Sequence, residues 1–393
     1  MYKYYTADYI FPISTPPIKN GFLLMMNDTV VGVSRTPIET EAPLQKQSGF
    51  IVPGFINAHC HLELSYLKDQ IKPGTGLVNF VKSILAIRAN YSLTAIKQSI
   101  QAGYNEMYEN GIVAVADISN DDFSFEVKAD KRIYFHTLLE AFDIIPTNTE
   151  SVFEKCLLLT EDLKKIAADN AAHSIVPHAA YTVTPALFRL IYGYATKHNQ
   201  LQSMHNQECL AESEMFENKS GDFYTLFSQN SAFTHFESTG KNSLISVLDF
   251  LSSEKTLLVH NTFTSATDIK LATAKHKNLY WCFCPNANLY IENRLPDFDI
   301  FIESGVTCCL GTDSYASNYS LNILDEIKAI LKYKPDYTLH MLLTWATLNG
   351  AKYLGLNHMG SLACGQKPGV NLITHCDAEK ISITSCSKIK RLH

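Results

Sequence analysis

Short apolar runs alternate with longer amphipathic stretches from about Gly49 to Leu356. The runs are Phe50 to Ile56, Ile112 to Ala116, Ile133 to Leu139, Ser174 to Pro177, Gln202 to Met204, Thr256 to Val259, Leu279 to Phe283 and Val306 to Leu310. Each has the length and composition of a largely buried strand. The stretches between them predict helices over Gly76 to Arg88, Leu93 to Glu109, Val152 to Ala168, Pro185 to Lys197 and Leu321 to Lys332. Strands alternating with helices predict parallel βα units, and eight of them fit a closed (β/α)8 TIM barrel. An open doubly wound sheet competes, but it would normally carry a Gly-rich turn after an early strand, and no G-x-G-x-x-G occurs.

The flanks follow another pattern. Gly21 to Met26, the turn Asn27-Asp28 and Thr29 to Val33 predict a hairpin. Val370 to Ile373 and Ile381 to Ile383 predict two more short strands after Gly365-Gln366-Lys367-Pro368-Gly369. Both ends are expected to form one small composite β-sandwich domain beside the barrel, joined to it through Val52-Pro53-Gly54. The expected division is 1–52 and 362–393 for the β domain and 53–361 for the barrel.

With 393 residues, 46% of them apolar, the chain can bury a large core. Its 33 basic and 39 acidic residues leave a formal charge of −6, with no basic run longer than Lys388-Ile389-Lys390-Arg391, which argues against nucleic acid or an anionic membrane as partner. Ten cysteines without a Cys-x-x-Cys read as thiols in a reducing compartment. The start, Met1 to Tyr5, lacks a secretion layout, and no stretch is apolar for long enough to span a bilayer. A cytoplasmic enzyme of small molecules, with a homodimer left open, is the expectation.

Candidate chemistry gathers at the ends of the predicted strands. His59 and His61 stand two apart after the first run and project from one face, a pairing that suits zinc or ferrous iron. His205 and Asp313 each follow a later run, and barrel active sites lie at those C-terminal strand ends. Four N/O ligands there would leave a position open for water, whose pKa the metal lowers towards neutrality. Incidental histidines, and a turn or cap role for Asp313, remain the plainer alternatives. If a helix starts at His205, then His205, Glu208 and Glu212 share a face; Glu208 would carry a proton to a substrate ring nitrogen and Glu212 would be structural. Ser317, Asn318 and Ser320 are candidate N-caps for the helix after Asp313. His178 and His260 close further predicted strands. His61-Leu62-Glu63 also matches the H-x-E of cytidine-deaminase sites, but no P-C-x-x-C follows, and H-E-x-x-H is absent.

Pro53-Gly54-Phe55-Ile56-Asn57-Ala58-His59-Cys60-His61, His205 to Glu208, His260 and Gly311-Thr312-Asp313-Ser314 together resemble the amidohydrolase superfamily. Within it they look like the branch of cytosine, guanine, adenosine-type and triazine deaminases and chlorohydrolases. The resemblance covers nearly the whole chain and implies the barrel with a composite β domain. It implies that His59, His61, His205 and Asp313 bind one divalent metal, zinc or alternatively iron. Glu208 would be the proton shuttle, His260 would orient the nucleophile and His178 would contact the distal part of the substrate. Binuclear members carry a bridging Lys or Glu after the fourth strand, where this chain has Pro177-His178. Lys367 to Leu372 departs from the relatives' Gly-x-x-Ala-Asp-Leu. Asn57 to Ser65 and Val176 to Val183 are similar to aminofutalosine deaminases, which puts Glu63 and Arg88 forward as contacts for a polar or carboxylate-bearing tail.

The implied reaction is hydrolytic deamination of an amino-substituted nitrogen heterocycle, an adenine nucleoside derivative such as aminofutalosine being the expected substrate. A chlorohydrolase or cyclic-amide hydrolase with the same site, or a non-catalytic metal-binding scaffold, are the alternatives.

Overall fold

Alternation along single strands separates two apolar clusters in the barrel. Leu257 and Val259 fall in one cluster with Ile118, Leu138 and Val176, whereas Leu258 between them belongs to the other, with Phe135, Leu139 and helix residues such as Leu187 and Ile269. That is the signature of strands with one face to the bore and one to surrounding helices. The computed structural model describes residues 1–144, 148–230, 233, 236–251 and 254–392, so the last position of the expected 362–393 segment lies outside it.

Barrel strands one to four, Phe55–Cys60, Ile112–Ser119, Tyr134–Ala141 and Ala172–Pro177, pair in parallel in that order. Strands five to eight, Gln202–Asn206, Thr256–His260, Leu279–Phe283 and Thr307–Leu310, do the same. The two half-barrels close at two seams. At one, His205 N donates to His178 O at 2.9 Å; at the other, Thr312 N and Asp313 N donate to His59 O at 3.0 and 3.1 Å. Both junctions lie at the C-terminal strand ends, beside the candidate ligands.

Gly311 makes the second seam fit. A Cβ there would stand 2.8 Å from His59 O and 2.9 Å from His59 Cβ, closer than any side-chain carbon tolerates. Gly311→Ala is therefore expected to destabilise the fold by about 1–3 kcal/mol through overpacking. Calorimetry should register a lower melting temperature, and an unchanged one would mean that the seam has room to relax.

The small domain is a sandwich of two sheets. One orders Thr29–Ser34, Phe22–Met26, Tyr2–Thr6 and Leu44–Lys46; the other orders Lys388–Arg391, Val370–Thr374, Phe50–Pro53, Tyr9–Ile10 and Ile18–Lys19. Tyr5, Leu23 and Met25 of the first pack against Ile10, Ile51, Val370 and Leu372 of the second. The expected hairpin is present, with Asn27 at φ 50° in its turn.

The structure differs from the sequence expectation at several points in these elements. The run Phe50 to Ile56 is two strands, one per domain, broken at Gly54, where a Cβ would lie 2.3 Å from Val113 Cγ1 and 2.6 Å from Pro368 O. Ile381 to Ile383 is no strand: Ile381 takes φ 51°, and Asp377 and Ser382 bond each other across a short loop. The last strand is instead Lys388–Arg391, where Arg391 donates to Ile112 O at 2.7 Å and lies 4.1 Å over the Tyr108 ring. The helix Ile323–Tyr333 is capped by Asn322, which accepts from Leu324 N, and not by Ser317, Asn318 or Ser320.

The other helices match their periodicity, at Leu77–Ile87, Leu93–Glu109, Thr149–Ala167 and Pro185–His198. Among the described residues no helix is long and apolar enough to cross a membrane. All ten cysteines are free thiols, seven of them buried.

Candidate active site

The strand ends turn their side chains inward by abandoning regular strand geometry. His260 and Asn261 take φ 74° and 58°, Asp313 takes 58° and Gln207 45°, all in the left-handed region that non-glycine residues usually avoid. Such strain at a strand end persists only where the surroundings hold it. Phe263 N on Gln207 O at 2.9 Å and Asn261 N on Asn206 O at 3.0 Å tie these turns together. Asn57, two residues before His59, bonds Thr312 from both amide atoms, at 2.8 and 3.0 Å, and so keeps strands one and eight in register.

Four donors converge. His61 Nε2 lies 3.1 Å from His59 Nε2 and 3.2 Å from His205 Nε2, and Asp313 Oδ1 lies 3.4 Å from both His59 Nε2 and His61 Nε2. Donor separations of roughly 3.3 Å are the edges of a tetrahedron with metal–nitrogen bonds of about 2.0–2.1 Å. Burial presses His61 down to about 3 and His205 well below the imidazole range, so both rings are neutral at ordinary pH. Burial opposes ionisation of Asp313, but the His59 hydrogen bond and the adjoining imidazoles outweigh it and hold the carboxyl well below its usual range. Three imidazole nitrogens and a carboxylate oxygen, all buried, converge on one point as the donor set of a metal site does. A divalent cation fits it.

Around the cluster stand the remaining candidates. Glu208 Oε2 is 3.7 Å from His260 Nε2, and the His260 ring lies 5.5 Å from that of His205. Burial, reinforced by the charges of Asp313 and Glu212, pushes Glu208 well above the carboxylate range, while burial pushes His260 down to about 4. The helix after strand five begins only at Leu210, so His205, Glu208 and Glu212 do not share a helix face. Glu212 instead accepts from Glu208 N at 2.7 Å, Gln207 N at 3.1 Å and Ser243 Oγ at 3.2 Å, fixing the turn that carries Glu208. Ser317 Oγ donates to Asp313 Oδ2, and Asn318 Nδ2 donates to Thr312 O at 2.7 Å. These two residues were free to miss the cap because they brace the Asp313 turn.

His178 lines the cavity, its Nδ1 2.6 Å from Thr182 Oγ1. Glu63 and Arg88 line it too, at different depths. Glu63 is buried, and its carboxylate accepts from Asn120 N at 3.0 Å and Asp121 N at 3.3 Å; burial pushes it up to about 8. Arg88 is exposed at the end of helix Leu77–Ile87, and its guanidinium has no hydrogen-bond or ion-pair partner among the described residues. The cavity holds about 570 Å³ and is mostly apolar, with Phe80, Val81 and Ile84 on one side and Tyr181, Phe223 and Phe227 on another. Sequence reasoning missed Glu140 and Asn120 in its wall. Glu140 directly follows the run Ile133 to Leu139, the same strand-end signal that picked out His205 and Asp313.

A model of the amidohydrolase family matches residues 50–388. The chain is 28% identical over 319 residues to an adenosine deaminase of Helicobacter pylori, covering 79% of this chain and 76% of that protein. It is 25% identical over 334 residues to an aminodeoxyfutalosine deaminase of a Nitratiruptor species, covering 83% and 79%. The crystal structure of Helicobacter pylori aminofutalosine deaminase in complex with methylthio-coformycin superposes with a TM-score of 0.80 at 22% identity, covering 95% of this chain and 93% of that one.

Proposed function

The chain belongs to the amidohydrolase family, and from that premise we propose that it hydrolyses the ring amine of an adenine nucleoside derivative to a carbonyl, releasing ammonia. The observation that carries this reading is the neighbourhood of the donor cluster: a buried Glu208 carboxyl, raised above the usual carboxylate range by its burial, faces His260 beside His59, His61, His205 and Asp313. His59, His61, His205 and Asp313 would hold one divalent ion, zinc by the chemistry of three imidazoles and a carboxylate. Bound there, such an ion supplies the Lewis acidity that lets water act as a nucleophile near neutral pH.

The residues then divide the proton work. His260 orients the water, and Asp313 takes its first proton as oxygen bonds to the ring carbon that bears the amine. Glu208 gives its proton to the adjacent ring nitrogen, so that the π electrons displaced by the attack are neutralised there. Asp313 passes its proton to the amine, the C–N bond breaks and ammonia leaves. The hydroxyl proton left on the carbon returns to Glu208 as the carbonyl forms.

His178 would meet the sugar, and the apolar walls beyond it suit an uncharged or aromatic 5′ substituent. The unpaired guanidinium of Arg88 at the mouth suits a carboxylate at the far end of such a tail. The test is ammonia release over a panel of adenosine, 5′-methylthioadenosine, aminofutalosine, guanine and a chlorinated triazine. Ammonia from an adenine nucleoside is expected; chloride release from the triazine with no ammonia from any amine would overturn the reading. For a carboxylate-tailed substrate, Arg88→Ala is expected to raise KM about tenfold, the worth of one charge-assisted hydrogen bond, with kcat unchanged. A neutral 5′-substituted nucleoside should not notice the change, and equal effects on both would remove Arg88 from tail recognition.

A further inference from the structure

Glu140 is a buried carboxylate that the mechanism leaves without a task. It is the last but one residue of strand three, on the bore-facing side two residues after Leu138, and is 6% exposed. Its Oε2 accepts from Asn120 Nδ2 at 3.1 Å. Its Oε1 has no hydrogen-bond partner and points at the edge of the His205 ring, 3.5 Å from Nδ1. A buried carboxylate oxygen left short of a partner is costly, so what it faces matters.

His205 Nδ1 also lies 2.9 Å from the backbone oxygen of His178. Both neighbours of this nitrogen are therefore acceptors, which places the imidazole proton on Nδ1 and the lone pair on Nε2. Nε2 is the atom that faces His59 and His61. An acceptor behind a ligating imidazole fixes its tautomer and ring angle and makes its lone pair more basic.

We propose that Glu140 is a positioning residue: it holds the His205 imidazole in the Nδ1–H tautomer and at the ring angle that presents Nε2 to the cation. Asn120 and Glu63 complete the support. Glu63 fixes the Asn120 backbone N–H, Lys155 Nζ donates to Asn120 O at 2.8 Å, and the Asn120 amide fixes Glu140. The polar chain thus runs from the helical turn after strand one through the ends of strands two and three to a ligand on strand five. It gives Glu63 work in the site that needs no contact with substrate.

This inference rests on the reading of His205 as a metal ligand, and its test reads the metal before any reaction. Apo protein, Glu140→Gln and Glu140→Ala are titrated with zinc against a chromophoric chelator, and the visible spectrum of the cobalt-loaded form is recorded. Glu140→Ala is expected to weaken zinc binding 10- to 100-fold and to shift the cobalt bands. Glu140→Gln, which keeps shape and an acceptor oxygen, should fall between it and wild type. Wild-type affinity and spectrum in both variants would overturn the proposal. So would loss of affinity only in proportion to a lowered melting temperature of the apo form, which is what a merely structural carboxylate gives. If no panel substrate releases ammonia from wild type yet the zinc and cobalt readouts respond as expected, the deaminase reading fails and this one stands.

Discussion

Asp313→Asn is expected to lower turnover roughly a thousand-fold or more, the scale of a positioned proton-transfer group together with a damaged ligand. The amide keeps the size of the side chain and can still meet Ser317. It cannot take a proton from water, and it offers the cation an uncharged oxygen where Asp313 Oδ1 now lies 3.4 Å from two imidazoles. The loss should fall on kcat even when the variant is reloaded with excess zinc, because saturating the metal restores the ligand set and not the base. Wild-type kcat in the reloaded variant would leave Asp313 as a ligand only and would require another proton acceptor.

Glu208→Gln should reduce kcat by about a hundred- to ten-thousand-fold while leaving metal content unchanged. The separation of these two readouts is the point of the experiment. Glu208 touches His260 and is not among the converging donors, so a variant that loses zinc would contradict the geometry. Burial raises the Glu208 carboxyl well above its ordinary range, which favours the protonated form that can donate. Activity is lost as pH rises through that raised value. The Gln variant, having no proton to give or lose, should show residual turnover without that alkaline fall, measured as kcat across pH. An alkaline limb that survives in the variant would belong to another group.

The converging donors were legible because barrel geometry converts a position in sequence into a position in space. A residue just past an apolar run lies at the rim, and His59, His61, His205 and Asp313 all satisfy that rule before any distance is known. Glu140 satisfies it equally, yet a carboxylate carries no signal until the ring it faces is located, and that ring is 65 residues further on. Glu212 shows another limit. Spacing from His205 put it on a helix face, whereas the chain first makes a left-handed turn at Gln207, which periodicity cannot anticipate. Likewise Ser317 and Asn318 have the chemistry of caps, and tertiary partners around Asp313 claim them. The terminal strand Lys388–Arg391 was hidden by its charge: Arg391 covers its charge with backbone carbonyls and the face of Tyr108, so a run that looks solvated pairs in a sheet.

The seams have a mechanical consequence. His59 and His61 belong to the half-barrel of strands one to four, while His205 and Asp313 belong to that of strands five to eight. A cation held by all four would therefore cross-link the two halves, closing chain loops between strand one and strands five and eight much as a covalent staple does. Free energy of binding then becomes free energy of unfolding, growing with the logarithm of metal concentration. Metal supply would govern how long the barrel stays shut as well as whether it can react.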